Sequence, residues 1–198
     1  MHHGHALLAL GIPLWILSRA TMLYLNKRKG GKISLKREAV LFLFCVYALC
    51  VVEITLIPLS IFRDTRSQFL LSANFVPFAG SIKAIASTTG IYSRDFMIRH
   101  WIRNIGGNAV LLLPLGIFLP LLWSKFKSIG KTALFAFLLS LCIEILQLLS
   151  SYAGYSNRIF DIDDILLNTA GAVLGALFYN LCAYKILPKF NATRYLRP

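Results

Sequence analysis

Two glutamates stand where a bilayer would make them costly. Glu53 and Glu144 lie inside long apolar runs, and a carboxylate in hydrocarbon carries the expectation of a function and of a partner. Gln147 follows Glu144 by one helical turn, on the same face. Ser140 and Ser151 extend that polar stripe in both directions. Further on, Asp161, Asp164, Asn168, Gly171 and Gly175 are spaced 3, 4, 3 and 4 apart, which makes one continuous face if a helix begins near Asp161. Asn104 and Asn108 form another one-turn pair. These residue types allow two chemistries. Glu144 with Asp161 or Asp164 could serve as general acid and base, or share a divalent cation with Asn168, and His100 could carry a proton. Alternatively, Arg158, with Arg99 and Arg103, could pair with a phosphate or carboxylate. Asn74, Asn108, Gln147 and Asn168 would then supply neutral hydrogen bonds, while Glu144, Asp161 and Asp164 orient Arg158 or bind an amine. Arg158 is the expected partner of Glu144.

The elements that must position these side chains are membrane spans. Apolar residues make up 57% of the 198 residues and charged residues only 15%, well below the charged quarter of a soluble domain. The mean hydropathy is +0.67. Five runs are long enough to cross roughly 30 Å of hydrocarbon: His5 to Leu25, Ala39 to Ile61, Ile105 to Trp123, Thr132 to Tyr152 and Ile165 to Ala183. Lipid forces every backbone N–H and C=O to be satisfied internally, so these runs are predicted to be helices. The expected fold is all-α, integral to the membrane, with about five spans in one compact bundle. The first run lacks basic residues ahead of its apolar core, which argues against a cleaved signal peptide. No internal repeat is visible, which gives alternating-access transport little basis.

Charge sets the expected orientation. The net charge of +13 is strongly basic, but Lys and Arg sit in short gaps between apolar runs. That placement reads as topology and contact with anionic lipid, not nucleic-acid binding. The first gap holds six basic residues, the third three, and the tail from Lys185 four. These share one side, which is expected to be cytoplasmic, with the N-terminus outside and the C-terminus inside. The opposite side has six, spread over the long second gap, and Arg158. On this topology Asn104, Asn108, Glu53, Glu144, Gln147, Asp161, Asp164 and Asn168 all map to the outer side. They point to a polar pocket opening to the exterior. Within the second gap, Met97, Ile98, Trp101, Ile102 and Ile105 fall on one helical face and Arg99, His100 and Arg103 on the other, the pattern of an interfacial amphipathic helix.

Smaller features read plainly. Cys45, Cys50, Cys142 and Cys182 lie in apolar runs without Cys-x-x-Cys spacing, as buried small hydrophobes do. His2, His3 and His5 read as a solvated end. Asn191-Ala192-Thr193 matches a glycosylation sequon, but in a cytoplasmic tail it would be accidental. Pro114, inside the third run, frees the carbonyl four residues earlier, at Val110, and predicts a kink. Gly171 and Gly175 form a small-xxx-small face for close helix contact.

Four segments occur in order: "NFVPF" (Asn74 to Phe78), "GNAVLLLPLGIFLP" (Gly107 to Pro120), "EILQ" (Glu144 to Gln147) and "RIFDIDDILLNTAGAVLG" (Arg158 to Gly175). Together they resemble the VanZ-like family, small bacterial membrane proteins named for teicoplanin resistance. The resemblance covers roughly residues 40 to 185. Leu112-Leu113 departs from the Phe that the family often places before Pro114, a matter of packing. The resemblance implies a bacterial plasma-membrane protein with a role at the cell envelope, in some members lowered sensitivity to lipid-anchored glycopeptides. The expected organisation is a first span and basic loop (1–38), a VanZ-like membrane domain of four spans (39–185) and a basic tail (186–198). The favoured function is non-enzymatic: an outer pocket binding a lipid-linked or antibiotic headgroup, with membrane lipids, a lipid-linked cell-wall precursor or a lipoglycopeptide as partners. Its site residues would be Asn74, Asn104, Asn108, Glu144, Gln147, Arg158, Asp161, Asp164 and Asn168. The alternative is an intramembrane enzyme acting on a lipid or cell-wall precursor, with Glu144, Asp161 and Asp164 as catalytic candidates. No His cluster of zinc type, nucleophile elbow or P-loop is present, and neither a resident metal nor another cofactor is expected.

Overall fold

The computed structural model describes residues 6–57, 74–77, 95, 99, 102–156 and 158–185. All of its long elements are helices. α1 spans Ala6–Arg28 and α2 Leu35–Leu56. A π-helical turn, Ile102–Gly106, leads into α3, Gly107–Leu111, and α4, Leu113–Leu122. A 3₁₀ turn, Ser124–Lys127, connects to α5, Ile129–Tyr152, and α6 covers Ile162–Lys185. With the stretch from Ile102 to Leu122 counted as one, five helical segments among the described residues are long and apolar enough to cross a membrane. The chain is therefore a multi-span membrane protein.

The span expected over Ile105 to Trp123 is broken at Leu112, whose φ of −100° and ψ of 5° interrupt the helix. Pro114 accounts for the break, because it has no N–H to give the carbonyl of Val110. The Tyr47 hydroxyl of α2 donates to the carbonyl of Leu111, 2.8 Å away, so polar backbone at the break is met from a neighbouring helix. The second helix starts at Leu35, four residues ahead of the expected Ala39, and so carries Glu38 in its first turn. A negative side chain is favourable there. The interfacial helix expected between the second and third spans falls largely outside the described residues. Of its polar face, Arg99 and Arg103 are exposed, and Arg99 Nε donates to the carbonyl of Asp95; His100 lies outside the described residues.

α6 lies against α3, α4 and α5, and α2 against α4 and α5, while α1 packs on α2. Glycine makes the central contact. A Cβ built on Gly171 would lie 1.9 Å from the carbonyl oxygen of Ala109, and one on Gly175 2.1 Å from that of Leu113. From the other side, a Cβ on Gly116 would lie 1.9 Å from the carbonyl oxygen of Ala172. Backbone meets backbone along this seam, as the small-xxx-small spacing predicts. Around it Leu112, Leu115, Leu119, Ala136, Ile143 and Ala172 form the core. Outward-facing leucines and phenylalanines such as Leu134, Leu174 and Phe178 remain exposed, the surface that hydrocarbon would cover.

The two ends of the bundle differ. At one end Phe44 stacks edge-on to Trp123, and Asn180 Nδ2 reaches the carbonyl of Lys127 at 3.5 Å. The helix ends next to Lys32, Lys127 and Lys185 thus share this end. At the other end lie the close of α2, the close of α5 and the start of α6.

Candidate functional site

The α5 stripe of Ser140, Glu144, Gln147 and Ser151 is buried along its whole length. At this helical spacing all four side chains face the interior instead of lipid. Ser151 closes the bend after α5. Its Oγ accepts the N–H of Arg158 at 3.0 Å, donates to the carbonyl of the same residue at 2.6 Å and lies 2.7 Å from Ser156 Oγ. Gly154, with φ of 80°, supplies the left-handed residue that the turn needs. The chain is thereby folded back so that Asp161 arrives beside Glu144.

Asp161 is the junction of the polar end. Its N–H donates to Glu144 Oε2 at 3.1 Å. Its Oδ1 accepts Asn74 Nδ2 at 2.9 Å and the N–H of Asp163 at 3.0 Å, which caps the first turn of α6. The backbones of Asn74 and Asp161 also form a short parallel bridge: Asn74 N–H donates to the carbonyl of Phe160, and Ile162 N–H to that of Asn74. Phe75 and Phe160 stack above it with ring centres 5.3 Å apart. Burial raises the Asp161 carboxyl pKa above the ordinary aspartate value. The hydrogen bonds from the Asp163 N–H and then Asn74 pull the other way, and the Asp163 charge adds to the rise.

One turn into α6, Asp164 Oδ1 accepts Asn108 Nδ2 from α3. Asn168, next along the stripe, is buried, and its Nδ2 donates to Ser140 Oγ at 2.8 Å. Among the described residues nothing donates to Asn168 Oδ1. The expected residues therefore converge as three ties between separate segments: Asn74 to Asp161 to Glu144, Asn108 to Asp164, and Ser140 to Asn168.

Arg158, Gln147 and Asn104 do not join these three ties. Arg158 is the expected partner of Glu144; at hydrogen-bond distance the buried Glu144 carboxyl takes the backbone N–H of Asp161, and the Arg158 charge acts on it through space. Arg158 is exposed, and its Nη2 lies 3.4 Å from the carbonyl of Ile54 on α2. Gln147 is engaged with the same helix end, its Nε2 donating to the carbonyl of Thr55 at 2.9 Å. Asn104 is exposed on the π turn, one turn before Asn108. Sequence reasoning misses Asp163, which is buried at 4% exposure although it lies off the Asp161–Asp164 stripe, and Thr55, whose carbonyl anchors Gln147. It also misses Glu38, which holds Arg19 by two bonds of 2.6 and 2.7 Å at the basic end. A carbonyl gives no sequence signal, and Glu38 falls in a stretch whose composition reads as a loop. Among the described residues no group of three His, Cys, Asp or Glu has the geometry to hold a metal ion.

A protein-family model described as VanZ/LLP1 matches residues 44–183, a stretch that contains every side chain of this cluster. No curated protein and no solved structure gives a significant match.

Proposed function

Given that the chain belongs to the VanZ/LLP1 family, with 140 of 198 residues matched, we propose that it is a non-enzymatic envelope protein. Its polar end would face the cell exterior and bind an anionic headgroup close to the membrane surface. One observation carries this reading. Glu144, Asp161 and Asp164 each take a neutral hydrogen-bond donor, while the guanidinium of Arg158 is exposed, its charge acting on Glu144 and Asp164 through space. An exposed, planar cation at the rim of a polar cluster suits a phosphate or carboxylate. Asn74, Asn108, Gln147 and Asn168 form the neutral surroundings, with Asn104 beside them. Glu144, Asp161 and Asp164 set the position of the α6 start, or meet an amine on the ligand. The proposed ligands are a lipid-linked cell-wall precursor or the headgroup of a tailed glycopeptide, and the proposed outcome is lowered sensitivity to teicoplanin-type drugs. The Lys and Arg bias supports a cytoplasmic C-terminus and an outer N-terminus.

The test is growth of cells carrying the full chain or its Arg158→Ala and Asp164→Ala variants, with protein level in the membrane measured beside it. Teicoplanin is compared with vancomycin, which lacks the lipid tail. Selective loss of protection against the tailed drug in both variants supports the reading. Protection that is equal in wild type and variants removes the polar end from the mechanism.

A further inference from the structure

We propose that the opposite, basic end carries a second site, which binds the phosphate of an anionic phospholipid headgroup in the cleft between α1 and α2. The cleft has a volume of about 390 Å³ and lies in a stretch of the chain that precedes the family match at residue 44. Its construction is legible from three features. First, its charge is unbalanced. Arg19, Lys32 and Arg37 line it against the one acid Glu38, and Glu38 is held by both Nε and Nη2 of Arg19. Counted over the lining, three basic side chains stand against one acid whose charge acts on both Arg19 and Arg37, so the cleft is net positive, and Lys27, Arg28, Lys29 and Lys36 surround it in sequence.

Second, the helix ends favour an anion. α2 is 22 residues long and directs the positive end of its dipole here, beside Ser34. The negative end of α1 is closed by its own turn: the N–H of Lys29 bonds the Leu25 and Asn26 carbonyls, Gly30 N–H bonds Lys27, and Gly31 N–H bonds Asn26. Gly30, with φ of 77°, permits that closure. Third, the cleft is amphipathic. Met22, Leu23 and Ile33 share its wall with the basic groups, which suits a phosphodiester with glycerol and acyl carbon attached. A nucleic acid would find no aromatic stacking platform among these residues.

The shared chemistry is a phosphate group, and its source is a lipid or the free ion. The full chain, purified in neutral detergent, is exposed to phosphatidylglycerol or phosphatidylcholine and examined by native mass spectrometry. Retention of phosphatidylglycerol over phosphatidylcholine is expected, with a fall of about five-fold for each charge removed in Lys32→Gln and in Lys32→Gln/Arg37→Gln. Lys32 is exposed, so its single variant retains the fold even if the double variant does not. A Lys125→Gln/Lys127→Gln variant, altered at the same end across the bundle, should bind as wild type does. Displacement by inorganic phosphate supports a site for the phosphate itself, and resistance to phosphate but not to phosphatidylglycerol supports recognition of the whole lipid. Unchanged binding in Lys32→Gln and the double variant, or an equal loss in the Lys125→Gln/Lys127→Gln control, overturns the proposal. The readout does not involve the polar end, so failure here leaves the proposed headgroup function standing.

Discussion

Asp161 shows how much one residue can carry. Its carboxylate holds Asn74 and caps α6, while its N–H engages Glu144. Burial places its folded-state pKa above the ordinary value, so the folded protein binds more protons than the unfolded chain between those two values. Stability is therefore greatest below the ordinary aspartate pKa of about 4 and falls as pH rises through the folded one. Asp161→Asn keeps an acceptor Oδ1 and removes the titration. Melting temperatures in detergent from about pH 4 to pH 7 should show a flatter acid limb for Asp161→Asn than for wild type; parallel limbs would exclude this carboxyl as the cause. Asp161→Ala should cost about 1 kcal/mol as a lost cap. A second comparison separates position from charge at Glu144. Gln can still accept the Asp161 N–H, so Glu144→Gln should keep most of the protection measured against a tailed glycopeptide. Glu144→Ala leaves that N–H without its acceptor, at about 1–3 kcal/mol, and should lower both membrane level and protection. Loss of function in Glu144→Gln at normal protein level would instead favour acid/base chemistry. The α5 stripe was legible from spacing alone. The backbone partner of Glu144 was not, because it depends on how the bend after Ser151 returns the chain.

Among the elements, the seam of α6 with α3 and α4 is the most constrained. No side chain fits between the Gly171 Cα and the Ala109 carbonyl, or between Gly116 and the Ala172 carbonyl, so an added methyl group must push the facing backbones away from each other. Gly116→Ala and Gly171→Ala are each expected to destabilise by about 1–3 kcal/mol or more. Gly130→Ala, at a position with open space around it, should be neutral or slightly stabilising through helix propensity. Thermal melts of the three purified variants check this; three equal melts would mean that the seam can open at little cost. Tyr47→Phe should cost about 1 kcal/mol by removing the donor to the Leu111 carbonyl. The glycine spacing on α6 and the Pro114 kink could be read directly. Their partners, Ala109, Leu113 and Tyr47, could not, since helix-to-helix contacts leave no periodic trace on the facing chain.

At the scale of the whole molecule, the five apolar runs were legible because lipid permits little but helices. The α1–α2 ion pair was not, because Arg19 and Glu38 are 19 residues apart on separate helices with no shared pattern. The molecule has two chemically distinct ends, and their sidedness decides what each can meet. By sequence, thirteen basic residues fall in the two short gaps and the tail that adjoin one set of helix ends, against seven in the gaps that adjoin the other, six of them dispersed in the long second gap. The bias is counted over short loops, which strengthens the contrast. The basic end should therefore be cytoplasmic. Four native cysteines, Cys45, Cys50, Cys142 and Cys182, are free and lie within the spans, so they are replaced first by Ala or Ser. In that background Arg158→Cys should react with a membrane-impermeant thiol reagent on intact cells, and Lys125→Cys only after the membrane is opened. The reversed pattern would turn the Asp161 cluster toward the cytoplasm. It would then remove external glycopeptides and exported precursors from its reach, and would place the phosphate cleft of α1 and α2 against the outer leaflet.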